Sequence, residues 1–139
     1  MNWFAWALLS ALFAGLTAIL AKVGVAGVDS NLATAIRTTV VFVFAWGIAL
    51  AMTNLTVLRT LPHRTWLFLV LSGLATGLSW LCYFRALQLG EASRVAPVDK
   101  LSVVFVIVLA AVFLREQLTW QQLAGGALIV TGAVILAWK

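Results

Sequence analysis

Five long apolar runs, separated by short polar segments, make up most of this chain. The runs cover residues 3–21, 32–52, 66–87, 95–114 and 120–138. A run of about 20 apolar residues is long enough to cross the hydrocarbon core of a bilayer as an α-helix. We therefore predict an all-α integral membrane protein with five transmembrane helices, in which residues 1–139 form a single domain.

The fourth run contains two adjacent charged residues. Its uninterrupted apolar part, residues 101–114, would extend roughly 21 Å at 1.5 Å per residue, which is short of a ~30 Å hydrocarbon core. A helix that begins at Val95 is long enough, but it brings Asp99 and Lys100 to membrane depth. The alternative is that both charges lie at the interface, in contact with water and lipid phosphate.

Pro97 determines where we expect these charges on the helix. Proline suits the first helical position, so we expect Asp99 in the first turn, where the positive helix end stabilises a carboxylate. Side chains of adjacent helical residues diverge by about 100°, so we expect Asp99 and Lys100 not to pair with each other. Arg37 in the second run is the candidate partner of Asp99, and this pairing would leave Lys100 free to meet an anionic group of a solute.

Composition supports a membrane protein and excludes several other classes. The chain is 64% hydrophobic and 9% charged, whereas soluble domains average about 25% charged residues. The formal charge of +5 comes from scattered single residues, which argues against a nucleic-acid-binding patch. One cysteine and one histidine exclude an internal disulfide and a Cys/His zinc site. The sequence has no nucleophile–base pair and no phosphate-binding loop, so we predict neither an enzyme nor a cofactor.

The loops show almost no charge asymmetry. With five spans, the side of the N-terminus carries three basic residues, Arg59, Arg64 and Arg115. The other side also carries three, Lys22, Arg94 and Lys139, or four if Arg85 is counted. An excess of Lys and Arg in the loops normally marks the cytoplasmic side, so the loop charges of this chain do little to determine its orientation. We predict that it inserts both ways and pairs with itself as an antiparallel homodimer. The alternative is one fixed orientation set by another feature.

Polar residues form stripes along the predicted helices. Ser72, Thr76, Ser79 and Tyr83 share one face of the third helix, which Trp80 borders. Similar stripes occur in the first two helices. An ionised side chain at bilayer depth costs about 2.5–3.5 kcal/mol on insertion scales. These stripes and the charges therefore favour a polar cavity lined by helices one to four. The alternative is that the hydroxyls bond to their own helices.

Glycines at two places predict close helix packing. Gly73 and Gly77 form a GxxxG pattern in the third run, and Gly125 and Gly126 lie in the fifth. Helices in lipid associate through small residues that let their backbones approach. We therefore predict these four glycines to be packing positions.

The chain resembles an EamA domain of the drug/metabolite transporter superfamily. The resemblance rests on the Tyr-Phe-x-Ala-Leu run at residues 83–87, the Gly-Glu-Ala-Ser turn at residues 90–93, Pro97, and Glu116 before a glycine-bearing last helix; the first half fits more loosely. Typical members carry two such domains in inverted halves. This chain resembles the five-span, single-domain branch, in which the Asp-Lys-Leu-Ser run at residues 99–102 is familiar. The resemblance implies a half-transporter bundle in the cytoplasmic (inner) membrane of bacteria or archaea, alternating access, and transport of small metabolites, often export.

Together these features predict an exporter of small anionic or zwitterionic metabolites, whose partners are a second copy, the solute and the lipid bilayer. Arg37 and Lys100 would attract the solute, and Asp99 is a candidate for proton coupling. The residues predicted to contact the rest of the solute are Thr76, Ser79, Trp80, Tyr83 and Ser102. Two alternatives stay open, a non-transporting accessory subunit of a larger partner and a multidrug exporter. Exporters of the small multidrug resistance type need a glutamate in the first span, and the first run here has no acidic residue.

Overall fold

Residues 2–138 are described by a computed structural model, and within that range the regular structure is entirely helical. The α-helices are α1 (Trp3–Gly24), α2 (Ser30–Met52), α3 (His63–Leu89), α4 (Ala92–Asp99), α5 (Ser102–Phe113) and α6 (Trp120–Ala137), and a 3₁₀ helix covers Leu55–Thr60. Five spans are long and apolar enough to cross a membrane, with α4 and α5 together forming the fourth. The predicted all-α class and the five spans are confirmed.

The second helix begins before its apolar run because a polar residue caps it. The Asp29 carboxylate accepts hydrogen bonds from the backbone N–H groups of Asn31, at 2.9 Å, and Leu32, at 3.1 Å. This cap lets α2 begin at Ser30, two residues before the predicted start. Met1 and Lys139, which bound the predicted single domain, lie outside the described residues. The prediction of a single domain stays a prediction.

The fourth span is interrupted at Lys100 and Leu101, which form a turn between α4 and α5. Across the turn the backbone makes short-range bonds, from Lys100 N–H to the Pro97 carbonyl at 3.1 Å and from Leu101 N–H to the Val98 carbonyl at 3.0 Å. Such three-residue spacing tightens the chain relative to an α-helix. The charged pair therefore lies at a helix break and not in a continuous helix.

The predicted position of Pro97 was wrong. The Glu91 carbonyl accepts bonds from Arg94 and Val95, each at 3.0 Å, and thereby starts α4 at Ala92. Pro97 lies inside this helix, where its ring removes one backbone donor, and α4 ends two residues later. Asp99 is consequently the last residue of α4, not a first-turn residue at a positive helix end.

One compact unit contains the described parts of Met1–Leu20 and Leu89–Lys139. Within it α6 packs against both α4 and α5. Gly126 is buried, and a Cβ added there would lie 3.5 Å from the Cδ1 atom of Ile107 on α5. That distance is an ordinary van der Waals contact, so Gly126 faces α5 and an alanine would also fit there.

The other unit, Ala21–Gln88, contains α2, the 3₁₀ helix and nearly all of α3. The Lys22 ammonium donates to the Leu87 carbonyl at 2.6 Å, and the Gln88 amide donates to the Val28 carbonyl at 2.8 Å. Positive charge at the end of a helix offsets the partial negative charge of its last carbonyls. These contacts fix the end of α3 beside the α1–α2 connection, where Phe84 and Leu87 are buried.

Apolar side chains on the spans are mostly exposed within the single chain. Phe44, Phe105 and Leu128 are representative, and each is more than half exposed. In water such surfaces would drive aggregation. A bilayer solvates them, which agrees with five membrane spans.

Arg115 provides a test of the connection that follows α5. Among the described non-glycine residues it alone has a positive φ, 55°, a conformation that costs an L-residue roughly 1–2 kcal/mol. Glycine avoids most of this strain but gains more entropy on unfolding than alanine does. We therefore expect the free energy of unfolding of Arg115→Gly to exceed that of Arg115→Ala by about 0.5–1 kcal/mol. Circular dichroism during an SDS titration measures the difference. Since both variants lose the charge, equal unfolding midpoints would contradict the assignment of strain.

Candidate functional site

Arg37 is placed at membrane depth by α2. It is the eighth residue of that helix, which puts it about 11 Å along the axis from the first helical residue at 1.5 Å per residue. Its side chain is half-buried. The guanidinium carbon lies 4.3 Å from the centre of the Trp80 ring and 5.4 Å from the centre of the Phe84 ring. A cation within about 6 Å of an aromatic face is attracted to it, so α3 holds the guanidinium through these two rings.

The hydrogen-bonding groups beside Arg37 are already engaged. The Thr34 hydroxyl donates to the Ser30 carbonyl at 2.7 Å, and the Thr38 hydroxyl donates to the Thr34 carbonyl at 2.8 Å. In the described part of the chain, no carboxylate oxygen lies within 4 Å of the guanidinium. The rings attract the cation through their faces, but they do not accept the in-plane hydrogen bonds that a guanidinium donates. The site therefore offers a positive charge with open donors.

The polar stripe on α3 has two kinds of member. Thr76 and Ser79 are exposed within the single chain, whereas Trp80 and Tyr83 are half-buried. The Thr76 hydroxyl bonds to the Ser72 carbonyl of its own helix at 2.9 Å. Hydroxyls that bond to their own helices are the alternative interpretation of the polar stripes. Thr76 on α3 follows it, as do Thr34 and Thr38 on α2.

Phe84 is the contact residue that the sequence analysis missed. It follows Trp80 by four residues and therefore lies on the same side of α3. That spacing was visible in the sequence, but nothing in it indicated that Arg37 on α2 faces this side of α3. Tyr83, by contrast, was predicted and is half-buried on α3, and its role in binding the solute stays a prediction.

Asp99, Lys100 and Ser102 belong to the other compact unit. The Lys100 ammonium lies 3.4 Å from the Asp99 carboxylate, so the expectation that these two residues do not pair was wrong. The expected divergence of adjacent side chains holds within a helix, whereas Lys100 lies in the turn after α4 and reaches back. Ser102 begins α5. The predicted contact between Arg37 and Asp99 joins the two units and stays a prediction.

The predicted packing glycines differ in their surroundings. A Cβ added at Gly73, Gly77 or Gly125 would meet no described atom within 4 Å, whereas Gly126 faces Ile107. The GxxxG pattern of α3 therefore has open space beside it in the single chain. Packing at Gly73, Gly77 and Gly125 stays a prediction.

A double-mutant cycle tests whether Arg37 and Trp80 interact. We expect the free energies of unfolding of Arg37→Met, Trp80→Leu and the double variant to yield a coupling energy of about 0.5–2 kcal/mol. The matched control is Arg64 with Phe68, where the guanidinium carbon lies 5.7 Å from the ring centre and both residues are exposed. We expect at most about 0.5 kcal/mol there. A coupling energy near zero for Arg37 and Trp80 would contradict the stacked arrangement.

Comparison with known proteins identifies the family of the chain. Residues 1–138 match the EamA-like transporter family. A protein of Sinorhizobium sp. named as an uncharacterized transporter in the cobO 3′ region is 54% identical over 136 residues, which are 98% of this chain and 96% of that protein. No solved structure matches.

Two other relatives match only parts of the chain. A probable terminal-alkyne amino-acid exporter of Streptantibioticus cattleyicolor is 42% identical over 67 residues, 45% of this chain and 22% of that protein. The uncharacterized transporter YvbV of Bacillus subtilis is 40% identical over 80 residues, 58% of this chain and 26% of that protein. With five membrane spans and a family match along almost its whole length, the chain belongs to the EamA-like transporter family.

Proposed function

We propose that this chain exports small metabolites that carry a negatively charged group, either anions or zwitterions. The observation that carries the proposal is Arg37, a half-buried cation inside α2 with two aromatic rings beside it and no described carboxylate within 4 Å. A solute carboxylate would supply the missing counter-charge.

Magnitudes favour a bound anion over the rings alone. An arginine at the centre of a membrane helix costs about 2.5–3.5 kcal/mol on insertion scales, and the cost is smaller for Arg37, which is the eighth of the 23 residues of α2. At a half-buried site each cation–π contact returns about 0.5–1 kcal/mol, so the two rings together return about 1–2 kcal/mol and leave the in-plane donors of the guanidinium unpaired. The planar guanidinium presents its donors along its edges, where a carboxylate can accept two parallel hydrogen bonds. Trp80 and Phe84 would hold the guanidinium in place while its edges bind the solute.

Export of a zwitterion has support from one relative. The S. cattleyicolor protein is named as a probable amino-acid exporter, and amino acids carry one carboxylate and one ammonium group. Its matched segment is 45% of this chain. We extend export of this chemical class to the present protein, with Tyr83, Trp80, Ser79 and Thr76 contacting the solute body.

We further propose that two copies assemble in opposite orientations. Because 67 residues are 22% of the S. cattleyicolor relative, that protein has about 300 residues, roughly twice the length of this chain. The Sinorhizobium transporter is matched over 96% of its length, so chains of single length occur in the family. A second, inverted copy would supply the other half of an alternating-access transporter, located in the cytoplasmic (inner) membrane of a bacterium or archaeon.

The charged turn in the fourth span, Asp99 and Lys100, would contribute to the coupling of solute transport to protons. Protonation of Asp99 would remove the partner of Lys100, which lies 3.4 Å away, and free the ammonium group to attract an anionic solute. Helices interrupted at membrane depth provide such sites in other transporters. Ser102 begins the helix that follows the turn and would offer its hydroxyl to the same solute.

Solute flux tests the roles of the charged residues. In proteoliposomes loaded with a panel of neutral amino acids and monocarboxylates, we expect wild-type protein to exchange at least one labelled member. Arg37→Gln should lower that exchange at least tenfold, because a charge-assisted hydrogen bond is worth about 1.5–3 kcal/mol. The matched control, Arg115→Gln, removes one exposed loop charge and should change exchange less than twofold.

The same assay evaluates the charged turn. We expect both Asp99→Asn and Lys100→Gln to lower exchange, and unchanged exchange in both would remove the turn from the site. A wild-type protein that exchanges no member of the panel would contradict the proposed solute class, and it is the result that an accessory subunit predicts.

Thiol labelling tests the antiparallel assembly. Cys82 is the sole cysteine, so Cys82→Ser with one cysteine appended after Lys139 creates a single reporter. With a membrane-impermeant thiol reagent we expect about half of the molecules in intact cells to react, and the rest to react after permeabilisation. Labelling of all molecules or of none in intact cells would show one orientation and would exclude the self-paired inverted transporter.

A further inference from the structure

An apolar groove of about 380 Å³ lies between the second half of α2 and the 3₁₀ helix. Trp46 and Ala49 form its α2 side, and Leu55, Leu58 and Leu61 form the opposite side. The volume falls within the range of small-molecule sites, about 300–1,000 Å³. All of these residues belong to the unit Ala21–Gln88.

The local sequence explains the shape of the groove. A 3₁₀ helix has three residues per turn, so the leucines at positions 55, 58 and 61 align on one side of the segment. The Asn54 side chain starts this helix by accepting hydrogen bonds from the Thr56 N–H, at 3.1 Å, and the Thr56 hydroxyl, at 2.9 Å. The polar atoms at this end are thereby satisfied, and the wall of the groove is left apolar.

Two arginines lie close in sequence to the residues that line the groove. Arg59 directly follows Leu58, and Arg64 lies three residues after Leu61. Both side chains are exposed, and neither has a carboxylate within 4 Å in the described part of the chain. Residues 45–65 contain no acidic residue. Arg59 and Arg64 do not line the groove, but they adjoin its lining residues in sequence, so the segment that forms the apolar wall also carries uncompensated positive charge.

This segment connects two membrane spans, so it lies where the hydrocarbon core meets the headgroups. An acyl chain suits the leucine-lined wall, and a phosphate suits exposed arginines at that depth. A second copy of the same basic segment would meet like charge here. We propose that the groove binds an anionic phospholipid, with one acyl chain along Leu55, Leu58 and Leu61 and its phosphate between Arg59 and Arg64. This inference is independent of the transported solute.

Native mass spectrometry of the purified protein tests the site. We expect dioleoyl-phosphatidylglycerol (DOPG) to bind at least tenfold more tightly than dioleoyl-phosphatidylethanolamine (DOPE), which has the same acyl chains without net charge. At roughly fivefold per arginine, Arg59→Gln with Arg64→Gln should weaken DOPG binding about 10- to 25-fold. The same change should weaken DOPE binding much less, because the ammonium group of DOPE offsets the charge of its phosphate. Leu58→Trp, which fills the groove, should weaken the binding of both lipids. Arg115→Gln is the matched control and should retain the wild-type preference.

Several results would overturn the proposal. Equal binding of DOPG and DOPE to wild-type protein would show that charge does not select the ligand. Undiminished DOPG binding by the double arginine variant would place the lipid elsewhere, and this result does not depend on the fold of the leucine variant. If Leu58→Trp abolished the dimer while DOPG binding persisted, the groove would be an interface between copies. Solute exchange by either variant has no bearing on these results, so failure of this inference is distinguishable from failure of the proposed transport function.

Discussion

A hydrocarbon solvent forms no hydrogen bonds, and this constraint explains most of the structure. The five spans are helical because a helix satisfies its backbone internally. Thr34, Thr38 and Thr76 donate to carbonyls of their own helices. The Lys22 ammonium binds the Leu87 carbonyl, and the Gln88 amide binds the Val28 carbonyl. In each case a polar side chain that the membrane would not solvate finds a partner within the chain.

Arg37 departs from this pattern. Two aromatic rings hold its guanidinium from α3, yet they leave its in-plane donors open. The break between α4 and α5 is a second departure, since it places a charged pair at a turn within the fourth span. In a membrane protein without a transport function, both features would only lower stability. A transporter can use them, because a solute that crosses the membrane brings charge of its own.

Hydrophobic pattern alone predicted the five spans, and the resemblance of residues 80–138 predicted the family. Arg37 was predicted to be a functional residue because it interrupts an apolar run. The ring contacts were only partly predictable, because periodicity assigns Trp80 and Phe84 to one side of α3 but does not say which helix packs there. The helix break was not predicted. Proline occurs both at the start and near the end of helices, and we had predicted Pro97 at a helix start. The start of α2 differs from the predicted one because Asp29 caps the helix from outside the apolar run.

The proposed transport depends on compensation of Arg37 by a negative charge on the solute. Counterflow in proteoliposomes tests it most directly when a neutral amino acid is compared with its methyl ester, which has the same side chain but no carboxylate. We expect wild-type protein to exchange the labelled acid at least ten times faster than the ester, once the slow leak of ester through protein-free liposomes is subtracted. Equal exchange of the two compounds, or faster exchange of the ester, would contradict it.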